Sequence, residues 1–365
     1  MAYTNIDKPK DFFSATLYTG DGSADQSMTG AGFKPDFLWI KRRNASERHV
    51  LTNVQMGVSD GAYKWLDSAD THVEFSGGTG VASFDADGFS IKTSDTTWNA
   101  SGSTYVFWSW KANGGTTASN SNGSITSTVQ ANQDAGFSIV TFTGTGSAAT
   151  VGHGLGAAPA VIIAKNRDSS ANWLVRHKNT TNNYDFLYLN STSAAIPNDG
   201  VWTQTNPTTS VFSIGTATAI NQSSQKIVAY CFAEKQGYSK FGKYVGTSNV
   251  NGPFIYLGFS PAFVMIKRTD QGTDYSSWAM FDNKRLGYNP TGGPQSLYAN
   301  RDYGEGKRGQ GSANSQEVRI DMLSNGFKVK DGGSDEINDS GDTYIYMAFA
   351  ENPFVTSTGI PTTAR

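Results

Sequence analysis

The chain has 365 residues, of which 37% are hydrophobic and 16% charged, below the roughly 25% charged residues of an average soluble domain. Its formal net charge of −2 excludes the strongly basic surface by which proteins bind nucleic acid or anionic membranes. Its 40 Gly, 21 Phe, 16 Tyr and 8 Trp favour strands joined by tight turns over long helices.

The first residues, 1–9, contain no basic region followed by an apolar core, so we expect no signal peptide there. No apolar stretch approaches the roughly 20 residues of a membrane-spanning helix. We therefore expect a soluble protein, made in a cytoplasm and not inserted in a membrane. The single cysteine, Cys231, lies in the apolar run 227–232, which predicts a small core residue and not a reactive thiol.

Three similar segments follow one another along the chain. A proline followed six positions later by a lysine opens each copy, and these pairs are Pro35 with Lys41, Pro159 with Lys165, and Pro261 with Lys267. Proline fits a strand entrance, where its missing N–H does no harm. The continuously apolar residues between each proline and lysine predict a central strand at 37–40, 161–163 and 263–266.

Two further landmarks recur in the same order. An apolar pair with one intervening residue lies in 87–91, 210–214 and 325–329. An asparagine precedes the closing strand by six positions, as Asn99 before Tyr105, Asn221 before Ile227 and Asn338 before Tyr344. Three landmarks repeated three times predict an all-β chain of three tandem antiparallel β-sandwich, jelly-roll-like repeats of about 100 residues each.

We place repeat 1 at 1–112, repeat 2 at 136–237 and repeat 3 at 238–365. Residues 113–135, rich in Gly, Ser, Thr and Asn, have the composition of a flexible linker. The distance from the proline to the second landmark is longest in repeat 3, and the excess falls in an inserted loop, 301–316. This loop is a candidate for what distinguishes the third copy, and the alternative, which we favour, is an unconstrained surface loop.

The sequence contains no pattern that predicts catalysis, a metal or a cofactor. The four histidines have no metal-ligand spacing, and no nucleophile-elbow motif occurs. Residues 304–309 match a dinucleotide-binding pattern formally, but they lack the strand and helix that the motif requires. We therefore expect no enzyme, although a pair of carboxylates brought together by folding, as in glycosidases, stays open.

Basic residues follow each predicted central strand. We expect them to form ion pairs with Asp or Glu of other copies, and the alternative is an acidic partner; they are Lys41, Arg42, Lys165, Arg167, Lys267 and Arg268. Glu234 and Glu351 follow the closing strands of copies two and three. We interpret these two glutamates as structural, each a salt-bridge partner of a neighbouring copy.

Candidate binding residues are aromatic or lie in the inserted loop. Sugars stack their apolar faces on flat rings, and four tryptophans lie in or beside polar segments, while core positions are the alternative for them: Trp98, Trp173, Trp202 and Trp278. In the inserted loop the candidate ligand-binding residues are Tyr303, Lys307 and Arg308.

Residues 152–159, 229–242 and 346–354 resemble repeated domains in virion proteins of tailed bacteriophages, especially marine ones. The resemblance covers nearly the whole chain. It implies a structural or tail-fibre-like protein on the exterior of the phage particle, with no catalytic residues to carry over.

From this resemblance and the composition we expect a tail fibre or tail-associated adhesin that contacts the host surface. The expected partners are other phage virion proteins and a host surface glycan or protein, without nucleic acid. A capsid decoration or head-fibre protein and a polysaccharide depolymerase are the alternatives. The chain is either part of a homotrimer or a monomer whose three copies form a pseudo-threefold arrangement.

Overall fold

The computed structural model describes residues 3–93, 95–285, 296–306, 320–330 and 336–362. The prediction of an all-β chain is confirmed, because the described part is built from antiparallel strands. It contains one α-helix, α1 (Thr218–Asn221), and two short 3-10 helices, Pro9–Asp11 and Val54–Met56. Within the described ranges no helix has the length and apolar character needed to cross a bilayer.

We call the described parts of repeats 1, 2 and 3 units 1, 2 and 3. Unit 1 contains β1 (Phe13–Thr19), β2 (Ser27–Thr29), β3 (Phe37–Arg42), β4 (His49–Asn53), β5 (Val58–Ser59), β6 (Ala62–Tyr63), β7 (Trp65–Leu66), β8 (Val81–Asp85), β9 (Gly88–Ile91) and β10 (Thr104–Trp110). The segment that joins units 1 and 2 contains β11 (Ala118–Asn120) and β12 (Ser127–Asn132).

Unit 2 contains β13 (Phe137–Thr143), β14 (Ala149–Gly152), β15 (Val161–Asn166), β16 (Leu174–His177), β17 (Asp185–Tyr188), β18 (Ile196–Pro197), β19 (Val211–Ile214) and β20 (Lys226–Phe232). Unit 3 contains β21 (Ser239–Val245), β22 (Phe254–Tyr256), β23 (Phe259–Arg268), β24 (Ala279–Asp282), β25 (Leu297–Tyr298), β26 (Ile320–Leu323), β27 (Gly326–Val329) and β28 (Thr343–Pro353).

One strand order recurs in the main sheet of each unit. The order is β1-β10-β3-β4-β7 in unit 1, β13-β20-β15-β16-β17 within the larger sheet of unit 2, and β21-β28-β23-β24-β25 in unit 3. Each unit also has a small sheet, namely β2-β9-β8, β14-β19 and β22-β27-β26. The registers agree as well, since Trp110, Phe232 and Phe349 face Phe37, Val161 and Phe263 respectively.

The closing strand of each unit is apolar on both faces. In β10, Phe107 packs with the small sheet in the core of unit 1, whereas Val106, Trp108 and Trp110 point to the opposite face. In unit 2, Cys231 lies on the inner face and is buried, as predicted. Burial raises the pKa of its thiol. A strand covered on both faces reads as a continuous apolar run, which explains the sequence pattern.

The outward faces of the three main sheets meet in one shared core. Its buried residues come from all three units. The ring of Phe37 in unit 1 stacks on Tyr230 of unit 2 at 4.2 Å between centroids, and Phe13 stacks on Phe349 of unit 3 at 5.1 Å. Phe232 of unit 2 contacts Phe349 at 5.8 Å. Each unit therefore touches both others, and the chain closes into a ring of three.

The repeated asparagine closes a turn after the first strand of each unit. The Asn221 side chain is buried; its Oδ1 accepts from the Thr145 N–H, and its Nδ2 donates to the carbonyls of Ser147 and Gly215 at 2.7 and 2.8 Å. Asn99 and Asn338 bond in the same way to the equivalent turns. An amide is suited to this position because it offers both a donor and an acceptor.

The repeated lysines join the units to one another. All three are fully buried, and each Nζ donates to a backbone carbonyl of another unit: Lys41 to Asp302 at 2.9 Å, Lys165 to Thr71 at 3.3 Å and Lys267 to Thr192 at 3.1 Å. These carbonyls occupy equivalent loop positions, so unit 1 bonds to unit 3, unit 2 to unit 1, and unit 3 to unit 2.

The predicted pairing of the basic residues with carboxylates is wrong for the lysines, whose hydrogen bonds go to backbone carbonyls. It is confirmed for Arg167, whose Nε lies 2.5 Å from Glu74 of unit 1. Arg268 forms ion pairs inside unit 3, with Asp270, Asp339 and Asp342. Carbonyls suit the lysines because they satisfy a buried donor without burying a second charge.

Glu234, just after β20, and Glu351, near the end of β28, form ion pairs within their own unit, and the predicted pairing with a neighbouring copy is wrong. Glu234 contacts Lys178 at 2.5 Å, and Glu351 contacts Lys284 at 3.0 Å. The second oxygen of Glu234 reaches the next unit by accepting the N–H of Phe241 at 2.9 Å.

The segment predicted as a flexible linker is partly strand. β12 pairs with β13, and β11 pairs with β12, so both extend the main sheet of unit 2. Ser127 and Val129 of β12 are buried while Thr128 is exposed, the alternation of a half-buried strand. The Gly- and Ser-rich composition concealed this short pattern.

We predict that Asn221→Ala lowers the free energy of unfolding by about 2–4 kcal/mol, because the buried Gly215 carbonyl and the Thr145 N–H lose their partner. Urea denaturation measures this change. Ser223→Ala, at an exposed neighbouring position, is the control and should stay within about 0.5 kcal/mol of the native protein. Equal stability of the two variants would contradict the role of the asparagine.

We predict that Lys267 makes stability depend on pH. Burial and the neighbouring Arg268 lower its pKa to about 7, against the opposing effect of Asp270; an unfolded lysine has a pKa of about 10.4. Between these values the unfolded chain binds more protons, so stability rises with pH. Relative to Lys267→Met, the native free energy of unfolding should rise by up to about 1.4 kcal/mol per pH unit from about pH 7 to 10.

Urea unfolding at a series of pH values measures the effect. Lys226→Met, at an exposed position on β20, controls for the loss of a lysine in general. Parallel pH profiles of the native protein and Lys267→Met would show that the buried ammonium does not govern the dependence.

Candidate functional site

Two exposed aromatic side chains lie on the outer strand of the small sheet of unit 3. In β22 the side chain of Ile255 is buried in the core of the unit, whereas Phe254 and Tyr256 are 47% and 49% exposed. Alternate residues of a strand point to one face, so both rings lie on the solvent side. We call Phe254 and Tyr256 the aromatic pair.

Neighbouring side chains fix the position of Tyr256. The Nζ of Lys240 donates to the Tyr256 carbonyl at 2.7 Å and lies 5.3 Å from the ring centroid, a cation–π geometry. Tyr3 donates to the carbonyl of Gly258, two residues after Tyr256, at 2.7 Å. Burial raises the pKa of the Tyr3 phenol, and partial burial lowers the pKa of Lys240. A ring already held in place loses little entropy when a ligand binds.

Polar groups surround the aromatic pair. Lys328 of β27 lies opposite Phe254 across the strand pair. On the next strand, Asp321 faces Lys330 at 3.8 Å. A flat ring bordered by charged groups offers both an apolar surface and hydrogen-bonding groups, the combination that binds a polyhydroxylated ligand such as a sugar.

A small cleft lies beside Tyr3. Its volume is about 260 Å³, and residues 3–6 together with Asp134, Lys235 and Gln236 line it. The Thr4 hydroxyl donates to the Gln236 carbonyl at 2.7 Å, so the N-terminal segment is fastened against the join between units 2 and 3. Tyr3 therefore lines this cleft and also contacts the backbone just after β22.

Units 1 and 2 carry no aromatic residues at the equivalent positions. The buried Met28, Val151 and Ile255 occupy corresponding register positions on their strands. The residues that flank them are Ser27 and Thr29 in unit 1, Thr150 and Gly152 in unit 2, and Phe254 and Tyr256 in unit 3. The exposed aromatic pair therefore distinguishes unit 3 from its two relatives on a common backbone.

The aromatic pair was missed at the level of sequence, although the signal was present. Strand alternation around Ile255 places Phe254 and Tyr256 on one face, and a comparison with Ser27–Thr29 and Thr150–Gly152 shows that only one copy has aromatic residues there. This strand, β22, ends shortly before Pro261 of the third Pro–Lys pair, and it is so short that its alternation was not recognised.

The four tryptophans predicted as sugar platforms are buried, so the expectation of exposed rings is wrong. Each is at most 3% exposed, and they are Trp98, Trp173, Trp202 and Trp278. The indole N–H of Trp173 donates to the Asp67 carbonyl of unit 1, and that of Trp278 donates to the Tyr188 carbonyl of unit 2. Large rings near polar turns here seal the cores and join the units.

Of the predicted residues in the inserted loop, only Tyr303 lies in the described part of the chain. It is half-buried, and the guanidinium of Arg301 lies 5.8 Å from its ring centroid. Lys307 and Arg308 lie outside the described residues. The proposed binding role of these three residues stays a prediction.

The buried titratable groups have structural surroundings. Asp36 accepts the N–H groups of Ala112, Gly114 and Gly115, and burial raises its pKa. Burial also raises the pKa of Asp67 to about 6. The histidines His153 and His177 have pKa values lowered by burial to about 4 and 3 respectively, so both are neutral near pH 7.

None of these four groups lies beside the aromatic pair. Among the residues with described positions there is no cluster of three or more His, Cys, Asp or Glu that could hold a metal ion.

We predict that Phe254→Trp adds the first solvent-accessible indole to the chain, because all eight native tryptophans are at most 7% exposed. Acrylamide should quench little of the native fluorescence and clearly more of the fluorescence of the variant. Tyr275→Trp, at another exposed position of unit 3 outside the aromatic pair, is the control. It should be quenched by acrylamide as Phe254→Trp is, and a ligand that binds the aromatic pair should leave its fluorescence unchanged. Weak quenching of Phe254→Trp would mean that the residue is covered in solution.

A family model described as a domain of unknown function, DUF7483, matches residues 8–353. No curated protein and no solved structure matches the chain. The matched range begins just before β1 and ends with β28, so it includes all three units and the aromatic pair. The chain belongs to the DUF7483 family.

Proposed function

We propose that this chain is a bacteriophage virion structural protein, a tail fibre or tail-associated adhesin that contacts the host surface. The observation that carries the proposal is the aromatic pair, which one of three equivalent units presents to solvent. Equivalent strands carry small polar residues in units 1 and 2, so the fold itself does not require aromatic residues at these positions. Exposed apolar rings that the fold does not require mark a contact surface.

The rigid setting of this surface supports a binding role. β22 is hydrogen-bonded to β27, and Ile255 anchors it in the core of unit 3. Lys240 holds Tyr256 through a hydrogen bond to its carbonyl and a cation–π contact with its ring. A contact surface on strands, with its rings held before binding, is suited to a ligand that offers few contacts, such as a surface glycan.

The virion setting rests on the resemblance of residues 152–159, 229–242 and 346–354 to phage repeat domains. A strand-rich chain without disulfides, whose units are locked by a shared aromatic core, also suits an exposed appendage. We interpret each unit as a jelly-roll-like sandwich that arose by triplication. We further propose that the single chain forms the pseudo-threefold arrangement by itself.

We predict that the double variant Phe254→Ser, Tyr256→Thr binds host cells at least about fivefold more weakly than the native protein, because two stacking contacts contribute about 1–3 kcal/mol together. The measurement is binding of fluorescently labelled protein to cells of the host. The matched control is Ser27→Ala, Thr29→Ala at the equivalent strand of unit 1, which should bind like the native protein.

Competition and imaging complete the test. Excess native protein should block phage adsorption, and the double variant should not. Antibody labelling in electron micrographs should place the protein on the tail. Labelling on the capsid faces together with unchanged adsorption would contradict the adhesin function and support a decoration protein. New reducing ends on host glycans would support a depolymerase.

A further inference from the structure

The outer edge of the main sheet has different hydrogen-bonding neighbours in the three units. In unit 2, β13 is hydrogen-bonded on both sides, to β20 and to β12. In unit 1 the equivalent strand, β1, pairs with β10 on one side, and no strand in the described ranges pairs with its other side. An open edge presents backbone donors and acceptors to any strand that can reach it.

The register identifies the groups that point to the open side. The Phe12 carbonyl accepts the Lys111 N–H, and the Gly20 N–H donates to the Ser103 carbonyl. In an antiparallel pair, alternate residues bond to the same neighbour. The N–H and C=O groups of Phe13, Ala15 and Leu17 therefore point away from β10. In unit 2 the residues at these positions lie opposite Asn132, Gln130 and Thr128 of β12.

A cleft of about 610 Å³ runs along this edge. One wall is 13–17 of β1, the other is 30–32, and Lys284 and Glu351 of unit 3 stand at the rim. In unit 2 the corresponding space holds β12, where the Ser127 hydroxyl donates to the Gly152 carbonyl at 2.7 Å. The cleft in unit 1 therefore has the walls of a strand site that another part of the chain fills in unit 2.

In unit 3 the equivalent edge strand is β21, and a carboxylate of unit 2 caps part of its outer side. The outward N–H of Phe241, equivalent to that of Ala15, donates to the Glu234 carboxylate. The residue of unit 1 at the position of Glu234 is Ala112, two residues after the closing strand, and its side chain has no acceptor. Within the described ranges, β1 has neither a partner strand on its outer side nor a carboxylate that caps one of its outward N–H groups.

We propose that the cleft along β1 binds an extended segment of another polypeptide chain, which pairs with β1 as β12 pairs with β13. The segment carries small or β-branched residues at alternate positions, as Ser127, Val129 and Ala131 do in β12. Backbone hydrogen bonds along an exposed edge supply the affinity, and the walls select the side chains. This site is separate from the aromatic pair and does not depend on the proposed adhesin function.

The test uses a labelled peptide with the sequence of residues 125–133, added to the full chain. Fluorescence anisotropy should show saturable binding of one peptide per chain. Hydrogen exchange should slow at residues 13–17 and stay unchanged at 137–143. Exchange protection at 137–143 instead would mean that the peptide replaces β12 in unit 2, and it would overturn the proposal, as would absence of binding.

Two N-methylated peptides test the register without altering the protein. A methyl group on the backbone nitrogen corresponding to Gln130 removes an N–H that faces the edge and should weaken binding at least about tenfold, the equivalent of one buried hydrogen bond. The same group at Val129 faces away and should change binding less than about twofold. Equal effects of the two methyl groups would exclude strand pairing.

Protein variants provide the reciprocal test. Leu17→Pro removes an outward N–H while leaving the β1–β10 bonds in place, and Leu17→Ala removes the side chain but keeps the N–H. We expect the proline variant to lose peptide binding and the alanine variant to keep most of it, with both near the native melting temperature. A dimer of the native chain with slow exchange at 13–17 would assign the edge to self-association and overturn the proposal.

Discussion

The structure depends on the second apolar face of each main sheet. The first face is covered by the small sheet of the same unit. The second face carries Val106, Trp108 and Trp110 in unit 1 and equivalent residues in units 2 and 3, and among the described residues the two other units cover it. A unit by itself would expose these rings to water, so the three units stabilise one another. Exposed apolar area on this scale is incompatible with an isolated soluble domain.

The shared core also explains why the buried lysines are tolerated. Lys41, Lys165 and Lys267 emerge where units meet, and carbonyls of the adjoining loops receive their ammonium groups. Because each bond links a unit to the next around the ring, displacing one unit leaves a buried cation without acceptors, which costs far more than the bond contributes. The main effect of the lysines is therefore to specify one arrangement of the units, and their contribution to the free energy of unfolding is smaller.

The amino-acid sequence predicts the strands and their repetition, because Pro–Lys and Asn–Tyr spacings report local constraints of the backbone. It could not predict what lies across a unit boundary. The acceptors of the lysines are carbonyls, which every residue has, so no side chain in the sequence marks them. The burial of Trp173 and Trp278 could not be predicted for the same reason. The polar residues beside them in the sequence indicate a turn, whereas the group that each indole contacts belongs to another unit. Phe254 and Tyr256 were accessible to sequence reasoning through alternation around Ile255, but only after the copies are aligned strand by strand.

Three units with one strand order give three equivalent surfaces, and one surface can differ in sequence while the others maintain the frame. The outer strand of the small sheet shows this in its side chains, polar in unit 1 and aromatic in unit 3. The edge of the main sheet shows it in its hydrogen bonds, since β12 covers the edge in unit 2 and Glu234 caps an N–H in unit 3. Unprotected edges favour unwanted association, so proteins normally cover them. Within the described ranges the edge of unit 1 has neither device, and this difference is the observation from which we infer a partner strand there.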